Sequence, residues 1–250
     1  MQKIITFAAA ALMAVGGAQA ATGFIDTGRP DSYIPRVEIH GGVGVSTITQ
    51  NYNSEIEGCA DFFMTPGCQG VAGVTVELPL RKFLYIGTGA DFNFSHYNWS
   101  MTTIDAVEGT LNTIYSRNSY QVLDIPIYIG MRLNLGKRVK WTNELGFYLS
   151  QGLGGKSRYK AYVSSTNALG QSQVSTSSYT RSYYKDDDPL INGNSRTDFG
   201  MHISTGLLLR NHWTLKAVLR TGFNNMARNN GVLDIKSHNI YASLRLGYAF

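Results

Sequence analysis

The sequence predicts an all-β protein: an eight-stranded antiparallel up-and-down transmembrane β-barrel, preceded by a cleaved N-terminal signal helix. Three observations carry that expectation. Segments of about ten residues alternate apolar and polar side chains with period two, the pattern of a barrel wall. The connections between them alternate strictly between short and long. An export signal opens the chain, and beyond it no apolar stretch reaches the ~18–20 residues that a membrane-spanning helix requires.

The signal comes first. Lys3 supplies a positive start, Ile4 to Val15 form an apolar run of twelve, and Ala18 and Ala20 make a small-x-small cleavage pattern. The run is too short to span a bilayer, and the small residues after it suit a peptidase. Residues 1–20 are therefore expected to be a signal peptide, 21–35 a short periplasmic lead and 36–250 the barrel domain. Removing 20 of the 250 residues leaves 230 and takes away one charge, Lys3, so the net charge falls from +5 to +4. A single barrel accommodates that length without subdivision.

The eight segments follow in order. Val37, Ile39, Val43, Val45 and Thr47 share one face of the first, opposite Glu38, His40, Gly42, Gly44 and Ser46. The second (71–80) sets Ala72, Val74, Val76, Leu78 and Leu80 against Gly73, Thr75 and Glu77; the third (83–99) sets Leu84, Ile86, Ala90, Phe92 and Phe94 against Tyr85, Gly87, Gly89, Asp91 and Asn93. The fourth (120–135) is the clearest, with Leu123, Ile125, Ile127, Ile129, Met131, Leu133 and Leu135 opposite Asp124, Pro126, Tyr128, Gly130 and Arg132. In the fifth, Trp141, Leu145, Phe147 and Leu149 oppose Lys140, Thr142, Glu144 and Tyr148. In the sixth, Phe199, Met201, Ile203, Leu207 and Leu209 oppose Asp198, Gly200, His202, Ser204 and Gly206. The seventh opposes Trp213, Leu215, Ala217, Leu219 and Phe223 to Thr214, Lys216, Arg220 and Gly222. The eighth ends the chain, with Ile240, Ala242, Leu244, Leu246, Tyr248 and Phe250 opposite Tyr241, Ser243, Arg245 and Gly247.

Alternation alone also suits a soluble sandwich with one face on a core. The connections separate the two. Leu80-Arg81-Lys82, Gly136-Lys137-Arg138 and Asn211-His212 are tight, whereas 50–70, 100–119, 154–195 and 224–238 are long and polar. One end trimmed and the other elaborated is the layout of an outer-membrane barrel, with periplasmic turns and extracellular loops. Trp141 and Trp213 open their strands just after short turns, where an interfacial girdle belongs, and Phe250 ends the last strand on the same side. Trp99, with Tyr97, Tyr120 and Tyr159, is expected at the opposite rim. Ten strands would need residues 159–184 to form another membrane hairpin; its Ser/Thr/Gln content is too polar for lipid, so an extracellular arm is expected.

Lys and Arg are dispersed without a compact basic cluster, which removes nucleic acid as a partner class. Cys59 and Cys68 enclose eight residues, and in an exported chain that spacing predicts a disulfide rather than a metal site. Phe62, Phe63 and Met64, inside that loop, would then form an exposed binding knob or, the reading preferred, a cap over the barrel mouth. The polar faces turn Glu38, Glu77, Asp91, Asp124, Glu144 and Asp198 inward, together with Arg132, Lys216, Arg220 and Arg245. An eight-stranded lumen is just wide enough for side chains to fill, and unpaired buried charge is costly, so a network of ion pairs is expected, with Arg245 approaching Glu38 as the barrel closes. No catalytic, cofactor or metal site is expected. His40 and His202 alternate inward, and Ser95-His96 lies near the outer rim. Asp186-Asp187-Asp188 with Asn192-Gly193-Asn194 is oxygen-rich but lacks the ligand spacing of a calcium loop, and reads as a solvated acidic segment.

The strand Leu123-Asp124-Ile125-Pro126-Ile127-Tyr128-Ile129 resembles the acidic-Ile-Pro-aliphatic strand of the PorT-like outer-membrane β-barrel family. Asp198-Phe199-Gly200 and Arg220-Thr221-Gly222-Phe223-Asn224-Asn225-Met226 resemble that family's two late motifs, and Tyr241 to Phe250 is similar to the terminal signal read by the outer-membrane assembly machinery. The resemblance implies an eight-stranded barrel and carries over no catalytic residue; the cysteine loop and the Ser/Thr arm depart from it. The function expected is a non-enzymatic outer-membrane barrel of structural or interaction type, with its specificity in the extracellular loops. Its expected partners are outer-membrane lipids, the assembly machinery and other envelope proteins. Two alternatives stand beside it: an accessory of a protein secretion system, and a lipid-active enzyme built on a rim dyad around His96 or His238.

Overall fold

A computed structural model describes residues 23–51, 59–105, 109–166, 171–185, 193–228 and 236–250; the expected signal peptide (1–20) and the acidic residues 186–192 lie outside them. The described residues form nine antiparallel strands: β1 (Arg36–Asn51), β2 (Cys59–Pro79), β3 (Leu84–Asp105), β4 (Thr110–Asn134), β5 (Val139–Thr166), β6 (Ser172–Ser182), β7 (Thr197–Leu209), β8 (Trp213–Gly222) and β9 (Lys236–Ala249). Eight of them close into a ring, β1-β2-β3-β4-β5-β7-β8-β9, and the seam runs from Glu38↔Ala249 to Asn51↔Lys236. The ninth, β6, stands outside the ring and pairs only with the far half of β5, from Lys156↔Ser182 to Thr166↔Ser172. The arm expected at 159–184 is thus a hairpin above the barrel, and the wall has eight strands.

The wall is inverted relative to a soluble fold. Ile125, Ile127 and Ile129 on β4 are exposed while their neighbours Asp124 and Tyr128 are buried. The same inversion runs through β1, β5 and β9, where Val43, Leu145 and Leu244 face out and Glu38, Glu144 and Arg245 face in. An apolar exterior around a charged interior fits hydrocarbon outside, where every backbone group must find its partner within a closed ring.

The short-turn end matches its local chemistry. Arg210 (φ 51°) and Asn211 (φ 62°) both take left-handed backbone, and the His212 amide donates to the Leu209 carbonyl at 3.1 Å. Two left-handed central residues define the hairpin turn whose twist matches its flanking strands. The lead folds across this end: Asn134 donates its amide to the Phe24 carbonyl at 2.9 Å, and Lys82 pairs with Asp31 at 3.0 Å and with Asp26 at 3.7 Å. The hydrogen bond to Asp31, reinforced by the charge of Asp26, holds the Lys82 ammonium above its ordinary pKa.

The long-loop end differs from expectation. β3, β4 and β5 are 22, 25 and 28 residues long, about twice the ~9–11 that cross a bilayer. Stretches that read as loops by their polarity are strands that continue into solvent. Thr and Tyr favour strands as much as aliphatic residues do, and here they meet across the sheet: Tyr115 packs edge-on to Tyr162 at 5.8 Å, and the Thr102 and Thr113 hydroxyls lie 3.3 Å apart.

This extension also corrects the expected disulfide. Cys59 and Cys68 both lie within β2, nine positions apart on one extended strand. At ~3.3 Å per residue that is about 30 Å, whereas bridged cysteines have Cα atoms ~4.4–6.8 Å apart. Cys68 is a free, exposed thiol. With no loop to clip them, Phe62, Phe63 and Met64 are strand residues: Phe63 faces outward and the Phe62 ring lies 6.1 Å from that of Trp99.

Candidate functional site

The inward-facing polar side chains lie in layers. Nearest the short turns, Lys216 of β8 points its ammonium at three carboxylates from three other strands, Glu144 at 2.9 Å, Glu38 at 3.3 Å and Glu77 at 3.5 Å. Arg132 of β4 also pairs closely with Glu77, and its guanidinium lies 4.0 Å over the Tyr85 ring, whose hydroxyl donates to Glu144 at 3.0 Å. Period-two alternation turns all these residues inward at one height.

A second layer centres on Arg220. Its terminal nitrogens meet Asp91 at 2.5 Å and Asp124 at 2.7 Å, and its Nε donates to Nδ1 of His202 at 3.1 Å. Asp91 also receives Arg245 at 2.6 Å and His40 Nε2 at 2.9 Å. Gly73 leaves the room these groups occupy, since a Cβ there would stand 2.3 Å from Asp91 Oδ1. Arg245 was expected at Glu38. The seam register instead puts Glu38 opposite Ala249 and Arg245 opposite Gly42, so Arg245 reaches Asp91 and Lys216 takes Glu38.

Asp198 stands apart from the ion pairs. Among the described residues its side chain is met by neutral donors, the Tyr148 hydroxyl and the Asn239 amide, each at 3.0 Å. Asn93 bonds Asp124 at 2.9 Å and accepts from Gln69 at 2.9 Å, which completes this polar level. The space left among the Lys216 and Arg220 layers is a cavity of about 10 Å³, room for about one water molecule.

At the far end of the lumen aromatic packing takes over. Tyr97, Tyr120, Tyr183, Tyr184 and Tyr241 are buried with Ile48 and Val122, and Met64 and Trp99 pack against them. Tyr120 stacks on Tyr183 with centroids 4.6 Å apart, the Tyr97 and Tyr183 hydroxyls lie 3.2 Å apart, and Tyr120 donates to Tyr241 at 3.3 Å. Tyr97, Tyr120, Tyr159 and Trp99, expected at an outer girdle, therefore face inward. Tyr97 and Trp99 continue the inward series Asp91, Asn93 and Ser95, and Trp99 packs on Tyr159 at 6.0 Å. Trp141, Trp213 and Phe250 lie on the outside at the short-turn end: Trp141 donates from Nε1 to Thr205 at 2.9 Å, and Trp213 and Phe250 each pack on Tyr248 at 5.1 Å.

Sequence reasoning missed Tyr183 and Tyr184. They follow β6 and turn back into the mouth, where Tyr183 donates its amide to the Gly155 carbonyl at 3.1 Å. The glycines of β5 were the available signal. A Cβ on Gly152 would lie 2.5 Å from the Tyr184 ring, and one on Gly155 would lie 2.8 Å from Tyr183 Cβ.

The expected rim histidines divide. His238 Nδ1 lies 3.0 Å from the Asn224 carbonyl oxygen, whereas His96 Nδ1 lies 3.0 Å from the Ser119 hydroxyl. That is hydrogen-bond reach for a nucleophile and base. Among the described residues, however, no third group touches the imidazole to orient it. Ser119 lies on a strand paired on both sides, to His96 and to Lys156, so its backbone donors serve the sheet and not an oxyanion.

No curated protein matches the sequence. Among solved structures, the chain is similar to the attachment invasion locus protein Ail of Yersinia pestis, at 14% identity and TM-score 0.30, covering 86% of this chain and 98% of that one. OprG of Pseudomonas aeruginosa matches at 10% identity and TM-score 0.29, over 90% of this chain and 99% of its own. Neisserial surface protein A matches at 11% and 0.29, over 84% and 96%. A family model describing an outer membrane protein β-barrel domain matches residues 34–228, which span β1 to β8 and include every lumen charge named above except Arg245. The chain is a protein of the outer membrane and belongs to the outer membrane protein β-barrel domain family.

Proposed function

We propose that this protein is a non-conducting, non-enzymatic barrel whose packed lumen makes a rigid base for an extracellular binding sheet. The observation that carries the reading is the contrast between the two halves. Among the described residues, the cavity between the Lys216 and Arg220 layers measures about 10 Å³, too little for solute passage at that level, while β2 to β5 rise far beyond the apolar band and end in an unshared edge at β6. Rows of unpaired backbone donors and acceptors on an exposed edge invite strand addition by a partner, so envelope proteins with an extended segment are the partners this edge suits. Within the family, the Leu123–Ile129 strand and the Arg220–Met226 motif support a place beside the PorT-like barrels. Residues 1–20 fit its export signal, and Tyr241 to Phe250 its recognition by the assembly machinery.

The test joins conductance with crosslinking. Reconstituted in a planar bilayer, the protein is expected to pass no stepwise current. A photo-crosslinking side chain at Thr176, exposed on β6, is expected to capture a protein neighbour on intact cells, while one at Thr142 in the lumen captures none. Regular conductance steps, or equal capture at both positions, would overturn the reading.

A further inference from the structure

We infer that an outward basic stripe at the base of the extracellular sheet, Arg117, Lys156, Arg158 and Lys160, binds the phosphate groups of the outer leaflet's phosphorylated glycolipid. The inference goes beyond the closed-barrel reading and rests on different residues.

A bulge aims the stripe. Along β5, Leu145, Phe147 and Leu149 face outward, and the pairing with β4 then slips, Val122 opposite Gly152 but Gln121 opposite Gly154. Leu153 is the extra residue, and it flips the alternation. Past it, Ser157 and Tyr159 are buried and Lys156, Arg158 and Lys160 are exposed. Without the bulge the three cations would point into the aromatic mouth. Re-aiming side chains is a recurrent use of bulges.

The height suits a headgroup. Leu153 is the last exposed apolar residue of β5 before the stripe. Lys156 lies about 10 Å further along the strand, or ~7 Å higher for a strand tilted ~45°. The polar headgroup layer occupies roughly that depth on each side of a bilayer.

The charge is uncompensated. Arg117 sits directly opposite Arg158, and Lys156 and Lys160 flank that pair two residues away on the same face. Like charges directly opposite are destabilising. Across β5 the β6 partners are Ser182, Thr180 and Ser178, and among the described residues none of the four cations has a carboxylate partner. Arginine forks bind phosphate oxygens in pairs, and lysines add point charge. A phosphate bridging Arg117 and Arg158 converts their repulsion into attraction.

The experiment uses the full chain in nanodiscs of neutral phospholipid, titrated with bis-phosphorylated lipid A, with the same lipid lacking phosphates, and with inorganic phosphate. The phosphorylated lipid is expected to bind about tenfold more tightly than its dephosphorylated form, weakening as salt rises. Arg117→Gln with Arg158→Gln is expected to abolish that preference while heat-modifiable migration stays intact. Arg117→Gln alone has a sign that a merely structural residue would not give: it raises the unfolding midpoint without lipid A, by removing the like-charge contact, and lowers it with lipid A. Equal binding of both lipid forms, unchanged preference in the double variant, or binding of inorganic phosphate as tight as that of the lipid would each overturn the assignment. None of these outcomes bears on conductance, so this proposal and the closed-barrel reading fail separately.

Discussion

Lys216 shows how much the barrel depends on single buried side chains. It is the ammonium shared by Glu38, Glu77 and Glu144. Replacing it with Met keeps the volume, leaves Glu77 with Arg132, and among the described residues leaves Glu38 and Glu144 with no lysine or arginine within 4 Å. Removing one partner of a buried pair costs about 3–5 kcal/mol, so Lys216→Met is expected to lower the urea midpoint of the vesicle-inserted barrel by that equivalent. Adding Glu144→Gln should recover part of the loss, and a double variant no more stable than the single would refute the shared-cation account. In the segment after β6, outside the membrane-spanning strands, Tyr183 and Tyr184 give a second residue-scale expectation. Burial pushes both phenols above their ordinary pKa. The folded state therefore keeps protons that the unfolded chain loses above pH ~10. Their stabilisation is complete below that pH and declines as pH rises past it. Titration followed at 295 nm should show a fraction of the fifteen tyrosines ionising only as the barrel unfolds. Full ionisation of the folded protein at the ordinary pH would count against a sealed mouth.

At the scale of elements, what the sequence made legible is bounded by where the apolar alternation stops. Ile125, Ile127 and Ile129 announce a membrane strand because period two coincides with a hydrophobic contrast. Thr110 to Ser119 belongs to the same strand, but both its faces mix polar and apolar residues, so the contrast vanishes while the backbone pairing continues. The lumen charges were readable from parity within the band, yet parity could not say which acid meets which base: Arg245 reaches Asp91 and not Glu38 because the seam register decides it. The bulge at Leu153 was invisible for a related reason, since one extra residue leaves no mark in composition. The expected disulfide failed because β2 begins at Cys59, so the cysteines ride on a strand and not in a loop. Glycine placement was the signal left unused. Gly152→Val should drive the Tyr184 ring out of the mouth and speed trypsin cleavage after the neighbouring Lys185, whose exposed side chain sits on backbone that the packed ring holds. Proteolysis no faster than in the unaltered protein would show that Tyr184 is not held by that space.

For the whole molecule, the division between ring and arm sets which damage is local and which is total. A proline removes one ladder donor wherever it falls in a sheet. In β9, Leu246 sits between Gly41 of β1 and Leu215 of β8, inside the apolar band. There the broken rung faces hydrocarbon, where an unsatisfied backbone group costs several kcal/mol, and it lies at the seam that closes the ring. In β6, Val174 is exposed and among the described residues pairs with Ser164 alone, above the membrane, where water can take the freed carbonyl. The same substitution is therefore expected to have opposite consequences: Leu246→Pro should yield little or no heat-modifiable barrel, and Val174→Pro should migrate like the unaltered protein. The expectation follows from closure and not from hydrophobicity, since both residues are aliphatic and largely exposed. A Val174→Pro chain that failed to fold would mean that the hairpin takes part in closing the barrel, and the ring could no longer be treated as a unit that carries its extracellular sheet as a separable load.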